Sequence, residues 1–435
     1  MREANAGAHM ITWPSKRTLA KVVALTLLAL AALTFDWRVA ELRERSRGDD
    51  FFQFWAAGRA ILRGDDPYEP ETWRQIYEQE GRWRWQTDQP VSLYPLWTAF
   101  VFVPLARLPV SWAALVWAVI SELLVVLSAG LIIRGLGWNK YEAWLPLMIA
   151  ILITFEPISL TILFGQLGIL LLALICGVFY CLTHSRNGTA GILLGFTLIK
   201  PQLLMLVIPT LLLVAAWQRK WSFIAAFAAT SMGLMASSWL LAPGWLSRWQ
   251  GNLVATANVR LVMSPTGWGF SHTLVTALGR PDLWAIVSVP VCLSLVGTVG
   301  WLWYATRNDL QRGDRLAPFL SFTMIASLLV SPYVLSYDFA LLLFPTLTCV
   351  WLIQPLPSST RRRLLASLLG CAAFLPWALL ALSAQTGQET TTILFPVGLL
   401  AVLVVGRLAR GRWQEKAATP EGHEELPTTW RQMEV

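Results

Sequence analysis

The sequence predicts an all-α polytopic membrane protein with about 11–13 transmembrane helices, each needing about 20 apolar residues to cross a bilayer core. Three observations predict it. Of the 435 residues, 55% are hydrophobic and only 14% are charged, against roughly 25% charged in a soluble domain. Mean hydropathy is +0.53. Long uncharged windows recur along the chain. Together they exclude a soluble enzyme, a disordered chain and a collagen-like chain.

The first apolar run, 19–35, carries Lys21 and lacks a small-residue cleavage site, so it reads as an uncleaved first helix. Windows 221–242, 283–304, 364–383 and 390–406 are spans without an ionisable residue. Windows 112–133 (Glu122) and 334–353 (Asp338) hold one each, and further spans fall within 142–217. The short piece Leu96–Leu105 is expected as a re-entrant or interfacial helix. Proline breaks helices, so Lys200-Pro201 splits 189–217 into two half-helices that meet near the outer face.

Charge bias orients the spans. Lys16, Arg17 and Lys21 place residues 1–18 in the cytoplasm. Arg219-Lys220, Arg307, Arg312, Arg315, Arg361–Arg363, Arg407, Arg410 and Arg412 mark the same side. The net charge of +8 reads as cytoplasmic loops, not as nucleic-acid binding. The transmembrane domain is 19–408, and 409–435 is expected as a disordered cytoplasmic tail.

Residues 36–94 hold 9 Arg, 12 Asp plus Glu and no Lys, so this long loop falls outside. Phe51, Phe54, Trp55 and Gly58 share a helical face, opposite Arg59 and Arg63. That pattern predicts an amphipathic helix lying in the membrane interface, with a second short helix over Glu71–Gln79. Loops 243–282, 331–338 and 384–390 also face out.

The five cysteines lie in apolar segments, where they act as small apolar groups, and no disulfide framework is expected. Neither H-x-x-x-H nor C-x-x-C spacing occurs, so no protein-built zinc site is expected. Ionisable residues within spans are functional candidates by default: Glu122, Glu156, Lys200 and Asp338. Asp49, Asp50, Gln166, Arg260 and His272 fall near the outer face. Acids and bases converging there suit chemistry on a lipid-linked, negatively charged substrate.

The run Gly48-Asp49-Asp50-Phe51-Phe52-Gln53-Phe54-Trp55-Ala56-Ala57-Gly58-Arg59 resembles the signature of glycosyltransferase family 87. Gly64-Asp65-Asp66-Pro67-Tyr68, Tyr94-Pro95-Leu96, Gly165-Gln166, Lys200-Pro201 and Ser331-Pro332-Tyr333…Tyr337-Asp338 follow in the family's order. The likeness runs from about residue 48 to 345. It departs from the family at Leu96, which replaces a second proline, and at Tyr337-Asp338, where family members often carry a histidine.

The resemblance implies a C-type glycosyltransferase architecture in the cytoplasmic (inner) membrane, with both termini cytoplasmic and the active site on the outer, periplasmic face. A sugar, with mannose favoured, passes from a polyprenyl-phosphate donor to an acceptor hydroxyl on a lipid or glycan, by inverting displacement. Asp50 matches the general base. Lys200, Gln166, Asp338, Tyr94 and Arg260 are the expected substrate contacts, with Lys200 on the donor phosphate. No cofactor beyond the lipid-linked donor is implied, and metal independence is favoured because no D-x-D stands at a membrane edge.

Each candidate also has a structural role available. Asp50 or Asp49 suits a helix N-cap, Lys200 can snorkel, and Asp338 can pair with Lys200 or Arg260. The competing function is a lipid-linked sugar flippase or another polytopic transporter. Such folds carry paired interrupted helices in two repeats, whereas one clear interrupted segment stands here.

Overall fold

The computed structural model describes residues 50–80, 92–138, 142, 145–310, 312–386 and 389–417. The expected first span, Asp49 and the end of the tail lie outside these residues. Every regular element among the described residues is helical, as the apolar patterning requires, since a helix satisfies its own backbone polar groups in lipid.

In chain order the helices are α1 (Asp50–Arg63), α2 (Pro70–Gln79), α3 (Leu96–Phe100), α4 (Val110–Gly135), α5 (Leu145–Thr154), α6 (Glu156–Leu163), α7 (Gly168–Thr183), α8 (Asn187–Phe196) and α9 (Val207–Trp217). There follow α10 (Trp221–Leu241), α11 (Trp245–Met263), α12 (Gly267–Ala277), α13 (Trp284–Thr306), α14 (Gly313–Val330), α15 (Leu343–Ile353), α16 (Ser358–Leu369), α17 (Leu375–Thr386) and α18 (Leu394–Ala417). Among the described residues seven helices are long and apolar enough to cross a membrane, or eight if the pair α5–α6, bent by 49°, is taken as one broken span. Three shorter apolar helices, over 168–183, 187–199 and 207–217, accompany them. The protein is a multi-pass membrane protein.

The packing separates shielded spans from lipid-facing ones. The hydrophobic window of Ser336–Ile353 is wholly buried inside the protein, and that of Gly313–Val330 is 78% buried. Trp221–Leu241 and Pro281–Thr306 are mostly exposed, and their apolar surfaces meet lipid instead. The span over Gly313–Val330 is absent from the hydropathy reading above. Its hydropathy is 1.3 against 2.4 for Val110–Gly135, because a helix surrounded by protein carries Ser, Thr and an internal Pro318 at little cost.

Two expectations are corrected. Residues 243–282 are largely helical, as α11 and α12. Arg248, Asn252, Asn258 and Arg260 make α11 too polar to span, but nothing from Trp245 to Met263 breaks a helix. The second correction concerns what covers the apolar face of α1, which the interfacial reading gave to lipid. Phe51, Phe52, Phe54, Trp55, Ala56, Ala57 and Ala60 are all buried, and the covering material is protein. Phe51 and Phe54 pack on Phe102, Trp55 donates to the Leu108 carbonyl at 3.1 Å, and Arg59 donates to the Ala106 carbonyl at 2.9 Å. A Cβ at Gly58 would come within 2.9 Å of the Phe102 backbone, so glycine permits this approach.

The short apolar piece after Pro95 is the five-residue helix α3, followed by a 3₁₀ turn at Leu105–Arg107. It is too short to span and serves as the floor under α1. The break at Lys200-Pro201 is also present: 3₁₀ turns at Thr197–Ile199 and Pro201–Leu204 separate α8 from α9.

Candidate functional site

Four segments far apart in sequence bring their polar side chains to one end of the bundle. The first is the start of α1. Asp50 is its first residue, and the Phe51 N–H donates to the Phe164 carbonyl at 3.0 Å. That bond fixes the helix start against the turn between α6 and α7.

Gly165 makes that turn at φ +62°, a left-handed conformation that costs other residues energy. A Cβ there would lie 2.5 Å from the Phe51 Cβ, so the site requires glycine twice over. Trp117 donates to the Gly165 carbonyl at 3.0 Å. The next residue, Gln166, is buried, and its Nε2 donates to Asp50 Oδ2 at 2.6 Å.

Lys200 sits in the break before Pro201, at φ −145° and ψ 68°. Proline pushes its predecessor out of the helical region, which turns this side chain inward instead of along a helix surface. The carbonyls freed by the break are satisfied: Trp97 donates to Leu198 and Thr98 to Ile199, both at 3.0 Å.

Lys200 Nζ lies 2.5 Å from Asp338 Oδ1 and 3.4 Å from Gln166 Oε1. Asp338 belongs to the 3₁₀ turn Ser336–Leu342, and its Oδ2 accepts from the Leu335 N–H at 3.1 Å. Both Lys200 and Asp338 are fully buried. The rings of Tyr337 and Tyr94 lie 5.1 and 5.9 Å from Nζ, within cation–π range.

These contacts fix the sense of the Gln166 amide. Lysine only donates and an ionised carboxylate only accepts. The amide oxygen therefore faces Lys200 and the NH₂ faces Asp50. A flipped amide would set its NH₂ against the ammonium and its oxygen against the carboxylate. The series Asp338–Lys200–Gln166–Asp50 is thus a directional hydrogen-bonded row.

Tyr94 joins this row to the outer helices. Its carbonyl accepts from the Tyr68 hydroxyl at 2.7 Å, and its ring packs on Phe54 at 4.8 Å between centroids. A cleft opens beside it, lined by Gln53, Phe54, Trp73, Ser92 and Tyr94 among others.

The structure thus brings Asp50, Gln166, Lys200, Asp338 and Tyr94 together. Arg260 falls within α11, and its side chain is outside the described residues. His272 packs its ring toward Trp284, 6.4 Å between centroids. Glu156 is buried, and its Oε1 has no hydrogen-bond partner.

Sequence reasoning missed Glu389. Its Oε2 accepts from the Ser336 N–H at 2.7 Å, so it clamps the turn that carries Asp338. It lies within electrostatic reach of Glu156, Asp338 and Asp50. Burial, with Asp338 and Asp50 adding to it, pushes its carboxyl above the usual range, against the Ser336 hydrogen bonds. A signal was present: Glu389 is the one ionisable residue in 384–390. Among the described residues no group of three or more His, Cys, Asp or Glu is placed to hold a metal ion.

A family model described as glycosyltransferase family 87 matches residues 93–332. The matched range contains Tyr94, Gln166 and Lys200, and Asp50 and Asp338 flank it. An alpha-(1->3)-arabinofuranosyltransferase of Corynebacterium glutamicum is 24% identical over 198 residues, 45% of this chain and 43% of the relative. The chain therefore spans less than half of that relative's length in the match. No solved structure matches.

Proposed function

Because the chain belongs to glycosyltransferase family 87, whose model covers more than half of its length, we propose that it transfers a sugar from a polyprenyl-phosphate donor to an acceptor hydroxyl, with Asp50 as general base. The observation that carries this reading is the row that ends on Asp50. One carboxylate oxygen of Asp50 receives the Gln166 amide, and a base held in one orientation is what proton abstraction requires.

In the proposed step the acceptor oxygen attacks the anomeric carbon, its proton passes to Asp50, and the bond from that carbon to the phosphate oxygen breaks. The electron pair leaves with the polyprenyl phosphate, and the configuration inverts. The acceptor is a lipid or glycan, and the reaction lies at the outer face of the cytoplasmic membrane.

Lys200 takes a different part from the phosphate contact read from sequence. Its charge is already matched by Asp338 at 2.5 Å, and both groups are closed off from solvent. A buried, paired ammonium is poorly placed to receive a second anion, because moving it would strand Asp338. Lys200 and Asp338 are therefore positioning residues that hold Gln166, and Gln166 holds Asp50. Tyr94 lines the approach to them from the cleft.

The sugar is open between two classes. Mannose is the sequence-based expectation. The Corynebacterium glutamicum relative is an arabinofuranosyltransferase, which favours testing a pentofuranosyl donor beside a hexosyl one. The test is transfer by purified protein from radiolabelled polyprenyl-phosphate mannose and polyprenyl-phosphate arabinofuranose, with a nucleotide sugar alongside. Label moving from one lipid-linked donor supports the proposal. Transfer from the nucleotide sugar, or transmembrane movement of the donor without turnover, overturns it.

A further inference from the structure

The opposite end of the bundle carries a different group of charges. Arg407 and Arg410 follow Glu389 by 18 and 21 positions along the last span, roughly 27–32 Å at 1.5 Å per residue. Trp351 likewise stands near the far end of the span that starts at Ser336.

Arg410 sits over Trp351: its Cζ is 3.9 Å from the ring centroid, and its Nη1 donates to the Trp351 carbonyl at 3.3 Å. Arg407 is three residues earlier on α18, one turn away. Arg315 comes from the first turn of α14, a different helix. The charges of Arg315, Arg407 and Arg410 bear on one another, and Asp314 is the one carboxylate that bears on both Arg407 and Arg410. Asp314 is itself paired with Arg312 at 3.1 Å. Among the described residues neither Arg315 nor Arg407 makes a side-chain hydrogen bond or ion pair.

Two half-buried arginines, Arg407 and Arg410, and the exposed Arg315 beside them thus share a single, already engaged carboxylate. Like charges brought together away from bulk water are costly unless an anion lies among them. Guanidinium forks match phosphate oxygens in pairs. The surface beside the group is apolar: Val404, Val405 and Leu408, on the same helix, are 42%, 50% and 57% exposed. An anion with hydrocarbon attached fits both features, with its phosphate on the arginines and its chains along α18.

We propose that Arg315, Arg407 and Arg410 form a binding site for the phosphodiester headgroup of an anionic phospholipid, in the leaflet opposite the candidate active site. The site is independent of the proposed transfer reaction. Polybasic membrane edges attract anionic lipid in general; the proposal is narrower, because it assigns retention of one lipid class to these three side chains.

The experiment reconstitutes the full-length protein in nanodiscs of mixed phosphatidylglycerol and phosphatidylcholine, extracts it into detergent, and counts retained lipids by native mass spectrometry. The wild type should retain phosphatidylglycerol in preference to phosphatidylcholine. R407Q/R410Q should lower that preference by roughly tenfold or more. R362Q/R363Q removes the same charge from the exposed helix α16 and should leave the preference unchanged. If R407Q/R410Q does not fold, R410K keeps the charge, loses the fork, and should still weaken retention. Inorganic phosphate added to protein in phosphatidylcholine alone should not raise the Tm as phosphatidylglycerol does. Equal losses in the two double variants, retention unaltered by R410K, or stabilisation by free phosphate equal to that by the lipid would each overturn the assignment.

Discussion

Lys200 and Asp338, 138 positions apart in the chain, meet with Nζ 2.5 Å from Oδ1, and neither side chain is exposed. The contact ties the helix break before Pro201 to the turn after Leu335. It also leaves the Gln166 oxygen as the next acceptor for the ammonium, at 3.4 Å, and through Gln166 it reaches Asp50.

Removing one partner of a buried ion pair leaves the other charge uncompensated. Lys200→Met should lower unfolding stability by about 3–5 kcal/mol. The double variant Lys200→Met/Asp338→Leu should recover most of that loss, because no charge is then stranded. Denaturant unfolding in one detergent checks both. A double variant no more stable than the single one would mean that the pair is not the stabilising unit.

Gln166→Leu removes the donor to Asp50 while roughly keeping side-chain volume. A hydrogen bond to a charged group is worth about 1.5–3 kcal/mol, so kcat should fall by roughly 10- to 100-fold. Gln166→Glu should fall further, since it sets a second carboxylate against Asp50. Turnover under saturating donor is the measurement, and unchanged turnover in Gln166→Leu would detach Asp50 from the row.

Gly165→Ala tests the turn that aims Gln166. The alanine would hold a left-handed φ of +62° with its Cβ 2.5 Å from that of Phe51. The strain should cost about 1–3 kcal/mol and displace the start of α1. Gly64→Ala serves as the control, because Gly64 also has a positive φ but open space around it. Equal activity in the two variants would remove the steric part of the argument.

The Glu389 carboxyl is held above the usual range, chiefly by burial. Its folded-state affinity for a proton therefore exceeds that of the unfolded chain. The folded protein binds more protons between the two pKa values, so stability falls as pH rises through that window. Glu389→Gln keeps an acceptor for the Ser336 N–H and removes the titration. Its Tm should decline less than the wild type's from about pH 4.3, the usual Glu value, upward. Parallel Tm curves for the two proteins would contradict this.

Much of the site was legible because each member stands at a local irregularity. Gln166 follows a glycine between apolar runs, Lys200 precedes a proline inside one, and Asp338 is the lone charge in another. Their pairing was not legible, since Lys200 had Asp338 and Arg260 as candidate partners, and only the three-dimensional fold chooses between them. The phosphate role for Lys200 followed from its charge, and burial beside Asp338 argues against it. The amphipathic pattern of α1 was correctly periodic, but periodicity does not say whether protein or lipid covers the apolar face. The span at Gly313–Val330 was hidden for the opposite reason, as a helix enclosed by protein is free of the demand for high hydropathy.

Turnover by Asp50→Asn, beside Asp49→Asn in the same membrane preparation, tests the proposed base most directly. Asparagine keeps the size of aspartate and starts a helix equally well, so a structural role for Asp50 should survive the change. An amide cannot take the acceptor's proton near neutral pH, and losing a positioned base typically costs 10²–10⁴-fold in rate. Asp50→Asn should lose roughly that much while its expression, its Tm and its retention of the lipid donor stay near wild type. Near-wild-type turnover by Asp50→Asn would contradict the assignment, and loss confined to Asp49→Asn would move the base by one residue.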